Sequence, residues 1–438
     1  MTTRTVLSSP PFYSLRMDSQ LHISQSAKCQ LNTSLPRRSL LSSFVPGVIP
    51  SVIPSLVLSL SIAMGLALNW TIPATAQDAV DTHRLAASIE TIAQWPVAQA
   101  GEHGIESAEF IFPLEGRPTP ECHASTIVDT SDGLVAAWFG GLHENHPEVG
   151  IWVSRHDGQK WSSAVEVVDG SEGEDREYAC WNPVLFQPKG GPLWLFYKVG
   201  VSPSQWWGMA TTSDDNGRTW AEPWRLGTSP QLFLENRNLL GPVKNKPLQL
   251  SNGRVICPSS TENQGWRIHF ENTGDIELGP EATWSVVGPL QVGEKLDAIQ
   301  PSVLEHADGR LQIVCRTRQG VLGTSWSSDE GRSWGPMKSL ALPNPNSGTD
   351  AVTLTDGRHL LVYNHSLRTA EANGRQILNV AISDDGIEWK PLMSLENHGD
   401  KAGYSYPAVI QTDDGRVHIT YTWRRLAIKH VVLDPQRL

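Results

Sequence analysis

The sequence predicts an all-β protein, a six-bladed β-propeller that follows an amino-terminal export signal. Three observations indicate this fold. A tight turn built on glycine recurs six times, a second turn that ends in tryptophan recurs five times, and 17 Trp, 37 Gly and 30 Pro accompany only 6 Met. Short strands joined by many turns have such a composition, and repeats of short strands are typical of propellers.

The first 76 residues differ from the rest and predict the export signal. Arg37 and Arg38 precede an apolar run over residues 40–68, and residues 74–76 read Ala-Thr-Ala. Small residues at this spacing are typical of export-peptidase sites, so we expect cleavage directly after residue 76. The arginine pair favours the twin-arginine route to the periplasm or the medium. An uncleaved membrane anchor and a translation start at Met17 are the alternatives.

Charge and cysteine usage exclude several classes of function. A net charge of −11 with only 18% charged residues argues against nonspecific nucleic-acid binding. No phosphate-binding loop and no metal-ligand spacing occurs, so we expect neither cofactor nor metal. Beyond the leader four cysteines remain, with no CxxC pair, and they form either buried thiols or disulfides. These cysteines are Cys122, Cys180, Cys257 and Cys315.

The glycine turns divide the chain into repeats of about 56 residues. Asp-Gly and Asn-Gly pairs favour tight hairpins, because both central residues adopt positive φ readily. Each turn lies between two apolar runs, as expected for a hairpin. The turns are Asp132-Gly133, Gly190-Gly191, Asn252-Gly253, Asp308-Gly309, Asp356-Gly357 and Asp414-Gly415.

The tryptophan turn falls into register with this repeat. It reads SRHDGQKW at 154–161, SDDNGRTW at 213–220, SSDEGRSW at 327–334 and SDDGIEW at 383–389, and Trp284 ends the remaining copy. We expect its Asp to accept backbone N–H groups and its Trp to pack as an anchor. Each unit then has four strands. Six units require that strands from both chain ends complete the last blade, which removes free edges.

These considerations divide the chain into three parts. Residues 1–76 are predicted as the leader and residues 77–107 as a linker with a possible closing strand. Residues 108–438 are predicted to form the propeller.

The candidate functional face lies opposite the hairpin turns, where inner strands begin and second strands end. Inner-strand positions six to ten residues before the turns include His123, Asn182, Lys244, Lys246, Gln300, Asp350 and Tyr404. The second-strand ends add Lys198, Glu262, Arg316, Arg318, Asn364 and Arg424. Such a net basic rim on an acidic protein suits an anionic ligand, above all a carboxylate. The alternative is that these residues are ordinary solvated loop positions.

The SxDxGxxW turns on a six-unit repeat resemble the sialidase (neuraminidase) superfamily of BNR/Asp-box proteins, over about residues 108–434. In that family three arginines bind the substrate carboxylate, and a tyrosine that is activated by a glutamate acts as nucleophile. The resemblance implies Tyr404, in AGYSYPAVI, as nucleophile. It also implies Arg316, in LQIVCR, and Arg375, in GRQILNVAIS, as the second and third arginines.

The chain departs from this family pattern at three places. Gln300 stands where the family has the glutamate, and Glu121-Cys122-His123 stands where it has the first arginine. The loop that carries the family's acid/base Asp reads GGLHENHPEVG in this chain, and its candidates include Glu144 and His146. Lys244 or Lys246 would then supply the missing positive charge.

Three functions follow, with the first preferred. The chain is expected to be a monomeric, exported sialidase-type glycoside hydrolase acting on sialic acid or a related acidic sugar of a glycan. Tyr404 is its nucleophile, Glu144 or His146 its acid, and tryptophans such as Trp207 stack on sugars.

The second function is a polysaccharide lyase that uses His123, Tyr404, Lys244 and Arg316 on a uronate. The third is a glycan-binding propeller without activity. Asn182, Asp350 and Arg318 complete the predicted substrate contacts.

Overall fold

The computed structural model describes residues 76–438 except 172–176, 233–236, 264, 291–292 and 400–402. Six antiparallel sheets of four strands each form a six-bladed propeller, which confirms the predicted fold class. Residues 1–75 of the predicted leader lie outside the described residues. Among the described residues, no helix has the length and apolar character needed to cross a membrane.

The described chain begins with α1 (Ala76–Ile92) and β1 (Ile105–Phe110). Five sheets follow, each built from four consecutive strands, of which the first lines the channel and the last is outermost. Sheet 1 has β2 (Glu121–Thr130), β3 (Gly133–Gly141), β4 (Gly150–His156) and β5 (Val165–Val168). Sheet 2 has β6 (Ala179–Phe186), β7 (Leu193–Gly200), β8 (Trp206–Ser213) and β9 (Trp224–Arg225).

Sheets 3 to 5 repeat this arrangement. Sheet 3 has β10 (Leu248–Gln249), β11 (Val255–Thr261), β12 (Arg267–Thr273) and β13 (Ser285–Val287). Sheet 4 has β14 (Ala298–Glu305), β15 (Leu311–Thr317), β16 (Val321–Ser327) and β17 (Lys338–Pro343). Sheet 5 has β18 (Asp350–Thr353), β19 (His359–Tyr363), β20 (Ile377–Ser383) and β21 (Lys390–Asn397). Two 3₁₀ helices span Ile276–Glu281 and Pro435–Arg437.

Both ends of the chain build the last sheet. Sheet 6 has β22 (Tyr404–Gln411), β23 (Val417–Trp423) and β24 (Ala427–Leu433), and β1 is its outermost strand. In this pairing Ala108 lies opposite Val431 and Phe110 opposite Lys429. Because β1 precedes sheet 1 in the chain, it closes the ring and leaves β24 without a free edge.

The sequence did not predict the helix α1, which lies in the segment interpreted as a linker. The segment that follows it is held against sheet 5. There Asn397 Nδ2 donates to the Trp95 carbonyl at 2.7 Å. Ser88 Oγ of the helix lies 3.0 Å from His365 Nε2, just after β19. These contacts hold both α1 and the segment that follows it against sheet 5.

The tryptophan turns connect neighbouring sheets. Trp334, from the turn of sheet 4, stacks on Phe270 of sheet 3 with ring centroids 4.5 Å apart. Trp284 of sheet 3 meets Phe196 of sheet 2 edge-on at 6.3 Å. Trp161 of sheet 1 contacts a residue of sheet 6 in the same way. The anchor that the sequence predicted therefore joins each of these blades to the preceding one.

Side-chain hydrogen bonds stabilise the SSDEGRSW turn. Asp329 accepts from Ser327 Oγ at 2.7 Å, from the Ser333 amide at 2.9 Å and from Ser333 Oγ at 2.6 Å. Gly331 has φ +77°, which a side chain disfavours. Burial raises the pKa of Asp329, but the hydrogen bonds from Ser333 and Ser327 outweigh burial and lower that pKa to about 2.

We expect Asp329→Asn to destabilise the protein near neutral pH and to matter less in acid. The folded-state pKa lies below the ordinary Asp value of about 3.9. The ionised carboxylate therefore stabilises the fold above that value, and this contribution is lost as the pH falls towards 2. Urea unfolding of both proteins from neutral to acidic pH measures the difference. Asp384→Asn, at an exposed position of a related turn, is the matched control. A difference that does not change with pH would contradict this account.

Candidate functional site

One residue from each blade occupies an equivalent position at the central channel. Each lies eight residues before the first residue of its hairpin turn, as Tyr406 does before Asp414. We call this set the axial ring: Ala124, Asn182, Lys244, Gln300, Gly348 and Tyr406. A Cβ atom added to Gly348 would lie 3.3 Å from Tyr406 Cδ2 and 3.4 Å from both Gln300 Oε1 and Lys244 Cε. The ring positions therefore converge from four different sheets.

A β-bulge sets the direction of these side chains. The pairing of inner and second strands shifts register at Ala124, Asn182, Gln300 and Tyr406. These residues and Lys244 have φ between +38° and +75°. Pro follows Asn182, Gln300 and Tyr406, and it adds no backbone donor where the bulge interrupts the ladder. Left-handed residues of this kind concentrate at functional sites.

Tyr406 is the aromatic centre of the site. Its ring centroid lies 4.3 Å from that of His123. The guanidinium carbons of Arg316 and Arg375 lie 5.5 Å and 5.8 Å from the Tyr406 ring. Two of the predicted arginines and the predicted histidine therefore meet at a tyrosine, but at Tyr406 and not at Tyr404.

Tyr404 belongs instead to the hydrophobic core between sheets 5 and 6. Its side chain is 1% exposed and packs with Val409 and Leu378. Its backbone is also fixed, since its amide donates to the Arg375 carbonyl at 2.6 Å. We therefore transfer the proposed nucleophile role to Tyr406. Strand alternation places both tyrosines on one face, and only the bulge at Tyr406 separates them.

A third guanidinium group was missed by the sequence analysis. Arg425 lies between β23 and β24, where sheet 6 meets sheet 1, and its Nη2 is 2.7 Å from Glu144 Oε2. Burial holds the pKa of His123 well below its usual value, and the charges of Arg425, Arg375, Arg316 and Lys244 lower it further. The imidazole is thus neutral within a group of cations. The adjacent pair Arg424-Arg425 at a second-strand end was the sequence signal that could have identified Arg425.

The arginines are held in place by burial and stacking. Arg316 is 5% exposed, and its guanidinium carbon lies 4.9 Å from the Trp266 ring. Arg318 stacks on the same indole at 4.4 Å but has an exposed side chain. Burial lowers the pKa of Arg375 to about 10, with the nearby Tyr406 opposing this shift, so the Arg375 side chain stays charged at neutral pH.

Lys244 is engaged within the protein. Its Nζ donates to Asn245 Oδ1 at 2.7 Å, to the Thr349 carbonyl at 2.6 Å and to the Pro407 carbonyl. Burial lowers the pKa of Lys244 to about 7, and Asp350 opposes this shift. The three bonds use all the N–H groups of the ammonium and connect sheet 3 to the backbone beside Tyr406. We therefore assign Lys244 to the support of the site rather than to substrate contact.

Asp350 and Lys246 form a second internal connection. The buried Asp350 carboxylate accepts from Lys246 Nζ at 2.9 Å, from Ser302 Oγ at 2.8 Å and from the Val409 amide at 2.8 Å. These partners come from sheets 3, 4 and 6, whereas Asp350 begins β18 of sheet 5. The predicted substrate contacts Asp350 and Lys246 thus join four blades around the channel.

Several polar groups near the axial ring lack internal partners. Among the described residues, Gln300 Oε1, Thr349 Oγ1, Ser347 Oγ and Arg316 Nε are buried without a hydrogen bond. Asn182 is 5% exposed and completes the polar side of the ring. Because buried polar atoms are nearly always paired, this grouping indicates a surface that suits a polar ligand.

The loop between β3 and β4 supplies one of its two predicted residues to the site. Glu144 forms an ion pair with Arg425, and its negative charge also raises the pKa of Arg375. The contacts described for His146 stay within the loop, with its ring 5.1 Å from that of His143 and its Nδ1 accepting from the Glu148 amide.

Within the described ranges, no group of three or more His, Cys, Asp or Glu side chains could hold a metal.

The family assignment rests on a domain match. The BNR repeat-like domain matches residues 132–419, about two thirds of the chain. The chain belongs to the BNR repeat-like family. No curated protein matches the sequence.

Solved structures with the same fold include proteins that are named as sialidases. A protein of unknown function from Dyadobacter fermentans is 17% identical, with a TM-score of 0.60, over 75% of this chain and 98% of that chain. The NanB sialidase of Streptococcus pneumoniae is 14% identical, with a TM-score of 0.60, over 80% and 73%. The Ruminococcus gnavus intramolecular trans-sialidase is 14% identical, with a TM-score of 0.57, over 73% and 96%. At these identities the likeness establishes the fold of this BNR protein, not an activity.

Proposed function

We propose that this BNR protein cleaves the glycosidic bond of an acidic sugar in a glycan by hydrolysis, with Tyr406 as nucleophile. The observation that carries the proposal is the convergence of Arg316, Arg375 and Arg425 on the Tyr406–His123 pair. The sialidase-like fold of the solved structures supports a glycosidase or a glycan-binding protein.

The three arginines suit a carboxylate ligand. Guanidinium groups stay charged at neutral pH, bind carboxylates with two parallel hydrogen bonds and are more weakly hydrated than ammonium groups. We assign to Arg425 the role that the family gives to an arginine of the first blade, because ring closure brings the end of β23 beside β2. Its positive charge lowers the pKa of both His123 and Arg375. The acidic protein thus offers a locally positive pocket.

A phenol suits this chemistry, because a carboxylate nucleophile would be repelled by the carboxylate of the sugar. The Tyr406 oxygen attacks the anomeric carbon, the bond to the leaving oxygen breaks, and water later releases the sugar from Tyr406. Gln300 cannot accept the phenol proton. We assign that role to His123, whose Nδ1 lies 3.0 Å from Thr422 Oγ1. When Nδ1–H donates to Thr422, Nε2 remains an acceptor.

Substrate binding would prepare the two proton-transfer groups. The cations around His123 oppose its protonation, and a bound carboxylate offsets their field. The same carboxylate competes with Glu144 for Arg425. Once released from Arg425, Glu144 is available to donate a proton to the leaving oxygen. We therefore favour Glu144 over His146 as the acid.

Elimination is the second candidate, favoured by a neutral His123 beside Tyr406 and by the absence of a carboxylate at Gln300. In this reaction a base removes the proton next to a uronate carboxylate, and the leaving oxygen departs to form an unsaturated sugar. The cations would stabilise the charge that develops on the carboxylate.

Product masses distinguish the two reactions. The purified protein is incubated with sialylated and uronate-containing glycans, and the products are analysed by mass spectrometry. We expect products that together exceed the substrate by one water. Products that sum to the substrate mass, with an unsaturated end, would replace hydrolysis by elimination. No product from any glycan would contradict both and favour binding alone.

A further inference from the structure

Trp266 joins the buried arginine cluster to an exposed cation at its rim. The guanidinium carbons of Arg316 and Arg318 both lie within 4.9 Å of the Trp266 ring centroid. They are therefore separated by no more than about 10 Å. The indole is itself fixed, because its Nε1 donates to Glu262 Oε2 at 2.9 Å and it is only 8% exposed.

Arg318 is pre-positioned but not neutralised. It follows the end of β15, and its amide donates to the Asp297 carbonyl at 3.0 Å. Among the described residues, no ion pair involves its guanidinium group. Its side chain is exposed, whereas that of Arg316 is 5% exposed. Glu262 accepts a hydrogen bond from Trp266 Nε1, and Asp297 Oδ2 accepts one from Gln319 Nε2 at 3.5 Å.

We propose that Arg318 and Trp266 form a second anion subsite, which binds a carboxylate or sulfate ester on the sugar next to the one held by Arg316, Arg375 and Arg425. The inference rests on the proposed function, and it names the substrate class as a glycan with negative charges on adjoining sugars. Stacking of the guanidinium on the indole orients its free N–H groups at little entropic cost.

The geometry also sets the order of the two sites. The clamp around Arg316 is buried and accepts the terminal sugar, while Arg318 faces solvent at the rim and meets the next unit. A single indole fixes the spacing between the two cations, so a second charge is bound only at a defined distance along the chain.

Paired ligands test the subsite. Calorimetry at low ionic strength, in the Tyr406→Phe variant that is expected to bind without cleaving, compares 3′-sialyllactose with a 3′-sialyllactose that carries a sulfate on the adjoining galactose. It also compares digalacturonate with galacturonosyl-galactose. We expect the doubly charged member of at least one pair to bind about fivefold more tightly. An advantage in the sialyllactose pair indicates a site for a sulfate ester, and an advantage in the galacturonate pair indicates a site for a carboxylate. When Arg318→Met is added to that variant the advantage disappears, while the singly charged member binds as it does without Arg318→Met.

Equal affinities within both pairs, or an advantage that survives in Arg318→Met, would overturn the subsite and leave the acidic-sugar pocket intact. If none of the four ligands binds, the subsite and the proposed function fail together. Because the Arg318 side chain is exposed, the variant is expected to fold, and its melting temperature verifies this.

Discussion

Tyr406→Phe is expected to abolish turnover of an acidic glycoside and to leave its binding almost unchanged. The substitution keeps the ring that contacts His123, Arg316 and Arg375 but removes the oxygen that attacks the anomeric carbon. Loss of a nucleophile costs about a thousandfold or more in kcat. Steady-state kinetics gives kcat, and calorimetry gives the dissociation constant.

Tyr404→Phe is the matched control, two residues away in the same strand. Its ring lies in the core between sheets 5 and 6, so we expect kcat close to that of the wild type. The opposite outcome, with activity lost in Tyr404→Phe and kept in Tyr406→Phe, would return the nucleophile to the position that the family motif implied.

Asp350→Ala is expected to destabilise the protein by about 3–5 kcal/mol. The substitution leaves Lys246 as a half-buried charge without its partner, and it removes the acceptor of Ser302 Oγ and of the Val409 amide. Each buried donor left unpaired adds its own desolvation cost. Denaturant unfolding at neutral pH measures the change in free energy.

Asp356→Ala, in the hairpin turn of the same sheet, is the control. Its carboxylate is 46% exposed and pairs with Arg358, so we expect a change below about 1 kcal/mol. If Asp350→Ala lost substrate binding without losing stability, Asp350 would be a substrate contact, as the sequence suggested, and not an internal connection between blades.

The fold was predictable because its signals are local. A hairpin turn needs residues that adopt positive φ, and the tryptophan turn needs Asp, Gly and Trp within eight positions, so both can be counted along the chain. All six hairpin turns lie between the first and second strands of their sheets. The helix α1 carries no comparable local signal.

The site was only partly predictable, because several of its features depend on tertiary contacts. The left-handed bulge at Tyr406 separates two tyrosines that strand alternation cannot distinguish. Lys246 and Asp350 pair across sheets, which a list of rim residues does not reveal. Arg425 reaches the site because ring closure brings the last sheet beside the first. Counting back eight residues from each hairpin turn identifies Tyr406 and the rest of the axial ring.

The central claim is that the Arg316, Arg375 and Arg425 cluster selects the carboxylate of the substrate. The most direct test compares kcat/KM for an acidic glycoside and for its methyl ester, in the wild type, in Arg425→Met and in Arg332→Met, a surface variant in a blade turn. We predict that the wild type and Arg332→Met prefer the acid by about a hundredfold, which corresponds to about 2.7 kcal/mol, and that Arg425→Met loses most of this preference. Equal kcat/KM for acid and ester in the wild type would contradict the claim.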